Sequence, residues 1–291
     1  MDRLTVLCFG GTYGLALASE LARFVVRGAA RWYLTIALTG LGWAVQTAYL
    51  ANLAWAKQRI PATTPFESLM ALSWIVALIG IYLMVRAPRA VAVGVFVLPM
   101  VLALVVGGQF TPRESDWGAW KSLTAFWGTV HGLFLMAGAV ATCVAFAAGL
   151  MYLVHANRLK HKRAARFGFA LPSLEQSERL NRGAITLAFP LLTFGLLIGL
   201  ILDLSTRRAS AMAIGWTDPK VVSALLMWLV FAGLLHARYR PALRGRSVML
   251  LTIVAFGFLV FTWVGVELLR LPTTHGTSPT RAGASAAGRA P

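Results

Sequence analysis

Charge is scarce in this chain, and acid scarcest of all. Only 13% of its 291 residues are charged, and 10 Asp and Glu stand against 27 Lys and Arg. A soluble domain carries roughly a quarter charged residues. Cysteine is nearly absent too. Cys8 and Cys143 are the two, with no C-x-x-C between them, and both lie inside apolar runs. That excludes a disulfide framework and a thiolate zinc site, and predicts two buried, inert thiols. No internal repeat emerges. Asp2 weakens any basic leader and no small-x-small cleavage site follows before Glu20, so the N-terminus reads as a first span rather than a signal peptide.

Apolar length is what the chain has in quantity. Hydrophobic residues make up 58% and the mean hydropathy is +0.71. Runs of about 20 apolar residues recur, each long enough to cross roughly 30 Å of hydrocarbon. Lipid offers backbone groups no hydrogen bonds, so such runs must be helical. The expected fold is an all-α integral membrane protein with about eight transmembrane helices in one bundle. The spans read as 4–25, 32–55, 67–85, 90–108, 126–154, 184–204, 220–237 and 247–269, the fifth long enough to tilt or protrude. Gly132, Gly138 and Gly149 would let helices approach closely. Residues 1–271 form the membrane domain. The tail 272–291, rich in Gly, Ala, Ser, Thr and Pro, reads as disordered beyond His275.

The net charge of +17 would suggest nucleic acid in a soluble protein. Here the basic residues lie in loops between spans and show no alternation with aromatics, so they speak for a lipid bilayer and its topology. Sixteen of the 27 Lys and Arg fall in one alternate set of loops, densest in 155–183 and 238–246. Those loops are expected in the cytoplasm, with both termini outside. Within the first, Ser173 and Gln176 fit the capping box of a short surface helix.

This topology gathers several features at the outer face. His131 falls near the outer end of the fifth span, His275 follows the eighth, and Trp216-Thr217-Asp218-Pro219-Lys220 links the sixth and seventh. The loop 109–125 adds Trp117 and Trp120. Axial imidazoles, flat aromatic cover and cations for propionates suit haem. Each feature also has a plainer role. Interfacial tryptophans form aromatic belts. Asp218 before Pro219 is an N-cap followed by proline at N1, as Thr64-Pro65-Phe66-Glu67 is with a capping-box Glu. Histidines at a membrane edge are often structural. On composition and spacing, haem is one option among several.

A resemblance narrows them. The stretch from Pro61 through Thr64-Pro65-Phe66-Glu67-Ser68-Leu69 to Ser73-Trp74 resembles the "P-x-x-N-x-Y-E-S-L-x-F-L-S-W" segment of CcsA-type cytochrome c assembly proteins. Trp216-Thr217-Asp218-Pro219-Lys220, with Trp228, resembles the end of that family's tryptophan-rich WWD signature. Leu235-His236-Ala237-Arg238 is similar to its "L-H-x-R", Val130-His131-Gly132 to the "L-H-x" opening the fifth span, and Val264-Gly265 through His275-Gly276 to its "G-x-N-L-L … H-S" ending. The likeness runs in order from about 60 to 276.

The resemblance implies haem (haem b as cargo) held outside by His131 and His275 beneath a loop containing Trp216, Asp218, Pro219 and Lys220, with His236 serving an inner haem. It implies delivery to apocytochrome c in c-type cytochrome biogenesis at the bacterial inner membrane, as a haem transporter or part of a haem lyase complex. A CcsB/ResB-type partner would supply the large outer domain that this chain lacks. The signature is reduced: Ala213-Ile214-Gly215 and Thr217 stand where Trp residues are usual, Val221 where Glu is, and Glu267 where Asn is. Such a form also resembles the HemX-like branch, which implies a membrane regulator of haem synthesis or a scaffold. A small-solute transporter is a third reading, weakened by the lack of an inverted repeat.

Overall fold

The computed structural model describes residues 2–25, 29–58, 60–62, 64–86, 91–111, 113, 123–162, 170–209, 218–237 and 245–269. Trp117, Trp120, Trp216, His275 and the tail from 270 lie outside them. Among the described residues eight long helices follow in chain order: α1 Asp2–Leu21, α2 Ala29–Lys57, α3 Pro65–Arg86, α4 Gly94–Gly108, α5 Leu123–Lys160, α6 Leu174–Ala209, α7 Pro219–Ala237 and α8 Arg246–Val260. A π-helical turn, Phe261–Gly265, extends α8 into Val266–Leu268. Seven of the eight are long and apolar enough to cross a membrane, and α4 is a shorter apolar helix. The molecule is an all-α, multi-pass membrane bundle, as the apolar runs predict.

Local chemistry sets the helix starts. The Thr64 hydroxyl accepts from the Glu67 N–H at 3.0 Å, and the Thr64 N–H donates to the Glu67 carboxylate at 3.4 Å. Pro65, at the first helical position, needs no partner for a missing N–H. Ser173 and Gln176 form the same reciprocal pair at 3.1 and 3.3 Å.

Three expectations change. The helix begun at Ser173 is not a separate surface element, because α6 runs unbroken from Leu174 to Ala209 with Pro190 inside it. The connection after α5 therefore shortens from 155–183 to 161–173. Second, α4 begins at Gly94 rather than 90, because Val91 pairs as a β-bridge with Ala170 and the Ala92 N–H donates to the Ala170 carbonyl at 3.0 Å. Those bonds hold the backbone extended before the helix. Third, Cys143 is buried but Cys8 is exposed, so α1 turns Cys8 away from the core.

The packing divides at the connection between α4 and α5. In the first half α1 lies against α2 and α4, and α3 against α2 and α4. In the second, α5 lies against α6 and α8, and α7 against α6 and α8. The halves meet where α5 touches α3 and α4, and where Gly107 of α4 faces Val264 in the π turn. Tertiary bonds show which connections share an end. Gly94 abuts Glu20, Val91 pairs with Ala170, and Tyr152 meets Gly245. These gather the connections after α1, α3, α5 and α7. At the opposite end Lys57 bonds Glu67, and Arg113 lies over the Phe66 ring, 4.6 Å from its centre.

Candidate functional site

His131 stands in the third turn of α5 and projects onto α6. Its Nδ1 lies 2.7 Å from the Gly195 carbonyl. The approach depends on two glycines one helical turn apart. A Cβ at Gly199 would come within 2.6 Å of His131 Cε1, and one at Gly195 within 2.6 Å of Leu135 Cδ2. The same register continues downward, where Leu192 Cδ2 fills the space beside Gly138. Small residues spaced four apart let two backbones approach in lipid, where no hydrophobic effect drives helices together. Of the three glycines expected to do this, Gly138 does, Gly149 makes ordinary contacts with Asn181 and Met249, and Gly132 meets nothing within 4 Å. Gly195 and Gly199 were missed, although their G-x-x-x-G spacing is a readable signal.

A carbonyl accepts only, so the ring donates from Nδ1 and carries its lone pair on Nε2. Metal-binding histidines are held in this way, the second ring nitrogen tied to a carbonyl so that tautomer and orientation are fixed. The residues present thus fit one axial ligand for haem iron. Among the described residues no three His, Cys, Asp or Glu side chains gather as a metal cluster. An iron that brings its own porphyrin nitrogens needs no such cluster.

Asp218 caps α7, as expected. It is 5% exposed, its Oδ1 accepts from the Lys220 N–H at 2.9 Å, and its carbonyl accepts from Val222. A carboxylate here also meets the positive end of the helix dipole. Ser223, in the next turn, bonds Thr262 in the π turn of α8 at 2.9 Å. π turns interrupt α-helices frequently at functional sites. Here the turn sits between the α7 start and the end of α4.

Depth relates His131 to this corner. Trp228 of α7 donates its indole N–H to Thr193 of α6 at 2.8 Å, which registers the two helices. At 1.5 Å per residue, Pro219 lies about 14 Å from that level and Gly199 about 9 Å in the same direction. The His131 ring is therefore about one helical turn deeper than the start of α7. The fold brings His131, Asp218, Pro219 and Lys220 to one end. His236, in the last turn of α7, is exposed at the other end, roughly 26 Å along the helix from Pro219. Trp216 and His275 lie outside the described residues.

Two tryptophans of the motifs act as fasteners. Trp228 stacks on Phe189, ring centres 5.6 Å apart. Trp74 stacks on Trp43 at 5.6 Å and donates its N–H to Thr47 at 2.7 Å. Glu67 does more than cap a helix. It is fully buried and holds Lys57 at 2.6 Å, which ties the end of α2 to the start of α3.

Comparison with known proteins agrees with the motifs. A family model described as "Cytochrome C assembly protein" matches residues 63–272. Among curated proteins, the "Cytochrome c biogenesis protein CcsA" of Parasynechococcus marenigrum (strain WH8102) is 27% identical, over 92% of this chain and 94% of its own length. The protein of that name from Guillardia theta is 28% identical over 72% and 74%. "Protein HemX" of Brevibacillus brevis is 27% identical over 77% and 80%. No solved structure matches the chain.

Proposed function

The chain belongs to the cytochrome c assembly protein family, and on that premise we propose that it handles haem as cargo in c-type cytochrome biogenesis. Haem b is held at the outer face of the bacterial inner membrane and presented there to apocytochrome c. His131 supplies one axial imidazole and His275 the other, beneath the loop that carries Trp216, Asp218, Pro219 and Lys220. His236 serves haem at the inner face. The outer assignment rests on charge: the connections around 161–173 and 238–245 carry the densest Arg and Lys, and such loops stay in the cytoplasm. The one observation that carries the reading is the Nδ1 of His131 tied to the Gly195 carbonyl at 2.7 Å, which leaves the lone pair on Nε2.

Little acid–base chemistry is needed. Thioether formation joins haem vinyl groups to the thiols of an apocytochrome Cys-x-x-Cys-His, and positioning supplies most of the gain. The chain works as the membrane part of a haem lyase complex, with a CcsB/ResB-type partner providing the outer surface that receives apocytochrome c. A second reading is favoured by the HemX relative and by the reduced tryptophan signature: a membrane regulator of haem synthesis.

Purification with a haem spectrum tests the site. His131→Ala and His275→Ala each weaken bound haem, and added imidazole restores it by filling the vacant position. Trp216→Ala loses haem without rescue, because stacking rather than ligation is lost. If both histidine variants keep the wild-type spectrum, the ligand assignment is wrong. Co-purification with a CcsB/ResB-type protein separates the first reading from the regulatory one.

A further inference from the structure

A second histidine on α5 is held as His131 is, at the other end of the helix. His155 is half-buried, and its Nδ1 lies 2.8 Å from the Pro172 carbonyl. Nδ1 donates, and the lone pair is on Nε2. That nitrogen makes no hydrogen bond to any described residue. The accepting carbonyl is itself fixed from both sides. Ala170 is bonded to Ala92, and Ser173 starts α6 with its capping box. His155 thus has its tautomer and orientation set by a built support, and a nitrogen able to take a metal.

The surroundings have two kinds of chemistry. Val154 and Leu171, the neighbours of His155 and Pro172, flank a small apolar cluster of Phe96, Met151 and Ala92 that is separate from the main core. Within the next seven residues come Arg158 and the exposed Lys160 and Lys162. An apolar plane with two carboxylates at one edge matches that pair of features. The 24 residues between the two histidines correspond to about 36 Å of helix, more than the hydrocarbon thickness of roughly 30 Å.

The geometry points to His155 as an iron ligand for haem at the Lys160 end of α5, so that α5 carries one haem-contacting imidazole at each end. This rests on the haem-handling reading and adds to it a residue that no sequence motif marks.

Haemin titration of the full-length protein in nanodiscs, read by absorption and resonance Raman, tests it. Gln at 155 can still donate an amide N–H to Pro172 but offers iron no imidazole, so His155→Gln separates a ligand from a staple. In a His131→Ala background, haem is retained at the Lys160 end of α5. Adding His155→Gln weakens that haem at least about tenfold, and adding His155→Cys instead converts its spectrum to a thiolate-ligated type. If the His131→Ala protein holds no haem, or holds it unchanged after His155→Gln, the inference is overturned while the haem reading stands. If the wild type takes up no haemin, the haem reading itself fails.

Discussion

The two halves of the bundle are fastened by different chemistry. In α1–α4 the links are buried polar bonds. Tyr13 donates to Gln46 at 2.7 Å, and Gln46 donates to Ser73 and to the Met70 carbonyl at 2.8 and 3.0 Å, with Tyr13, Gln46 and Ser73 all inaccessible to solvent. Glu20 pairs with both Arg23 and Arg31 at 2.9 Å, and Lys57 with Glu67. Close glycine contacts occur in both halves, at Gly42, Gly80 and Gly108 as at Gly138, Gly195 and Gly199. In α5–α8 the polar ties beside them are neutral, as where Asn181 donates to the Ala145 carbonyl at 2.8 Å and to Thr252 at 3.4 Å. In the sequence all 5 histidines come after α4, and four of them, His131, His155, His161 and His236, are among the described residues of this second half. A half stapled by directional bonds keeps one arrangement. Where Gly195 and Gly199 let α5 and α6 approach, an imidazole reaches a neighbouring backbone, and a carbonyl sets its tautomer.

The largest effect should come from cutting an ionic staple. Glu20→Ala leaves the buried Arg23, 3% exposed, and the half-buried Arg31 without their carboxylate, a change that costs about 3–5 kcal/mol. Thermal unfolding in detergent measures it, while haem per folded chain stays at the wild-type level. Equal loss of haem would mean that the halves are not separable.

Next comes the glycine face. Gly199→Val drives a side chain into the His131 ring, with overpacking of about 1–3 kcal/mol and loss of the His131-dependent haem band. A full haem band with lowered stability would detach the glycine contact from function. Gln46→Leu leaves the Tyr13 hydroxyl buried and unsatisfied, about 1–3 kcal/mol, again with haem unchanged. Urea or thermal midpoints and a haem spectrum distinguish the two outcomes. The smallest effect has the opposite sign. Gly132→Ala meets nothing within 4 Å, and alanine is the better helix former by up to about 1 kcal/mol. A destabilised Gly132→Ala would show that this face of α5 is covered.

Helix existence and helix starts were legible because their causes are local. The Thr64–Glu67 and Ser173–Gln176 boxes span three residues, and Asp218 caps α7 through the amide two residues on. Helix extent was less so. Ser173 marks a start and 184–204 reads as a span, but nothing in the adjacent residues says that the two join through Gly183 into one helix. The membrane class, the family and the division of His131 and His236 between opposite ends also came from sequence. The motifs did not mark His155, nor the Glu20–Arg23–Arg31 cluster. Arg23 and Arg31 read as loop charges until Glu20 is seen between them.

By itself the sequence determined the apolar spans, the caps and the charge bias, since each depends on residue type within a turn or two of helix or on the cost of placing charge in lipid. Tertiary structure alone decided how the histidines are held. Gly195 is 64 residues from His131 in the chain, and Pro172 meets His155 only because α5 turns back into α6. Hydrogen bonds across such separations depend on helix register, which is set by glycine faces packing against side chains from another helix rather than by any property of the histidine or its neighbours.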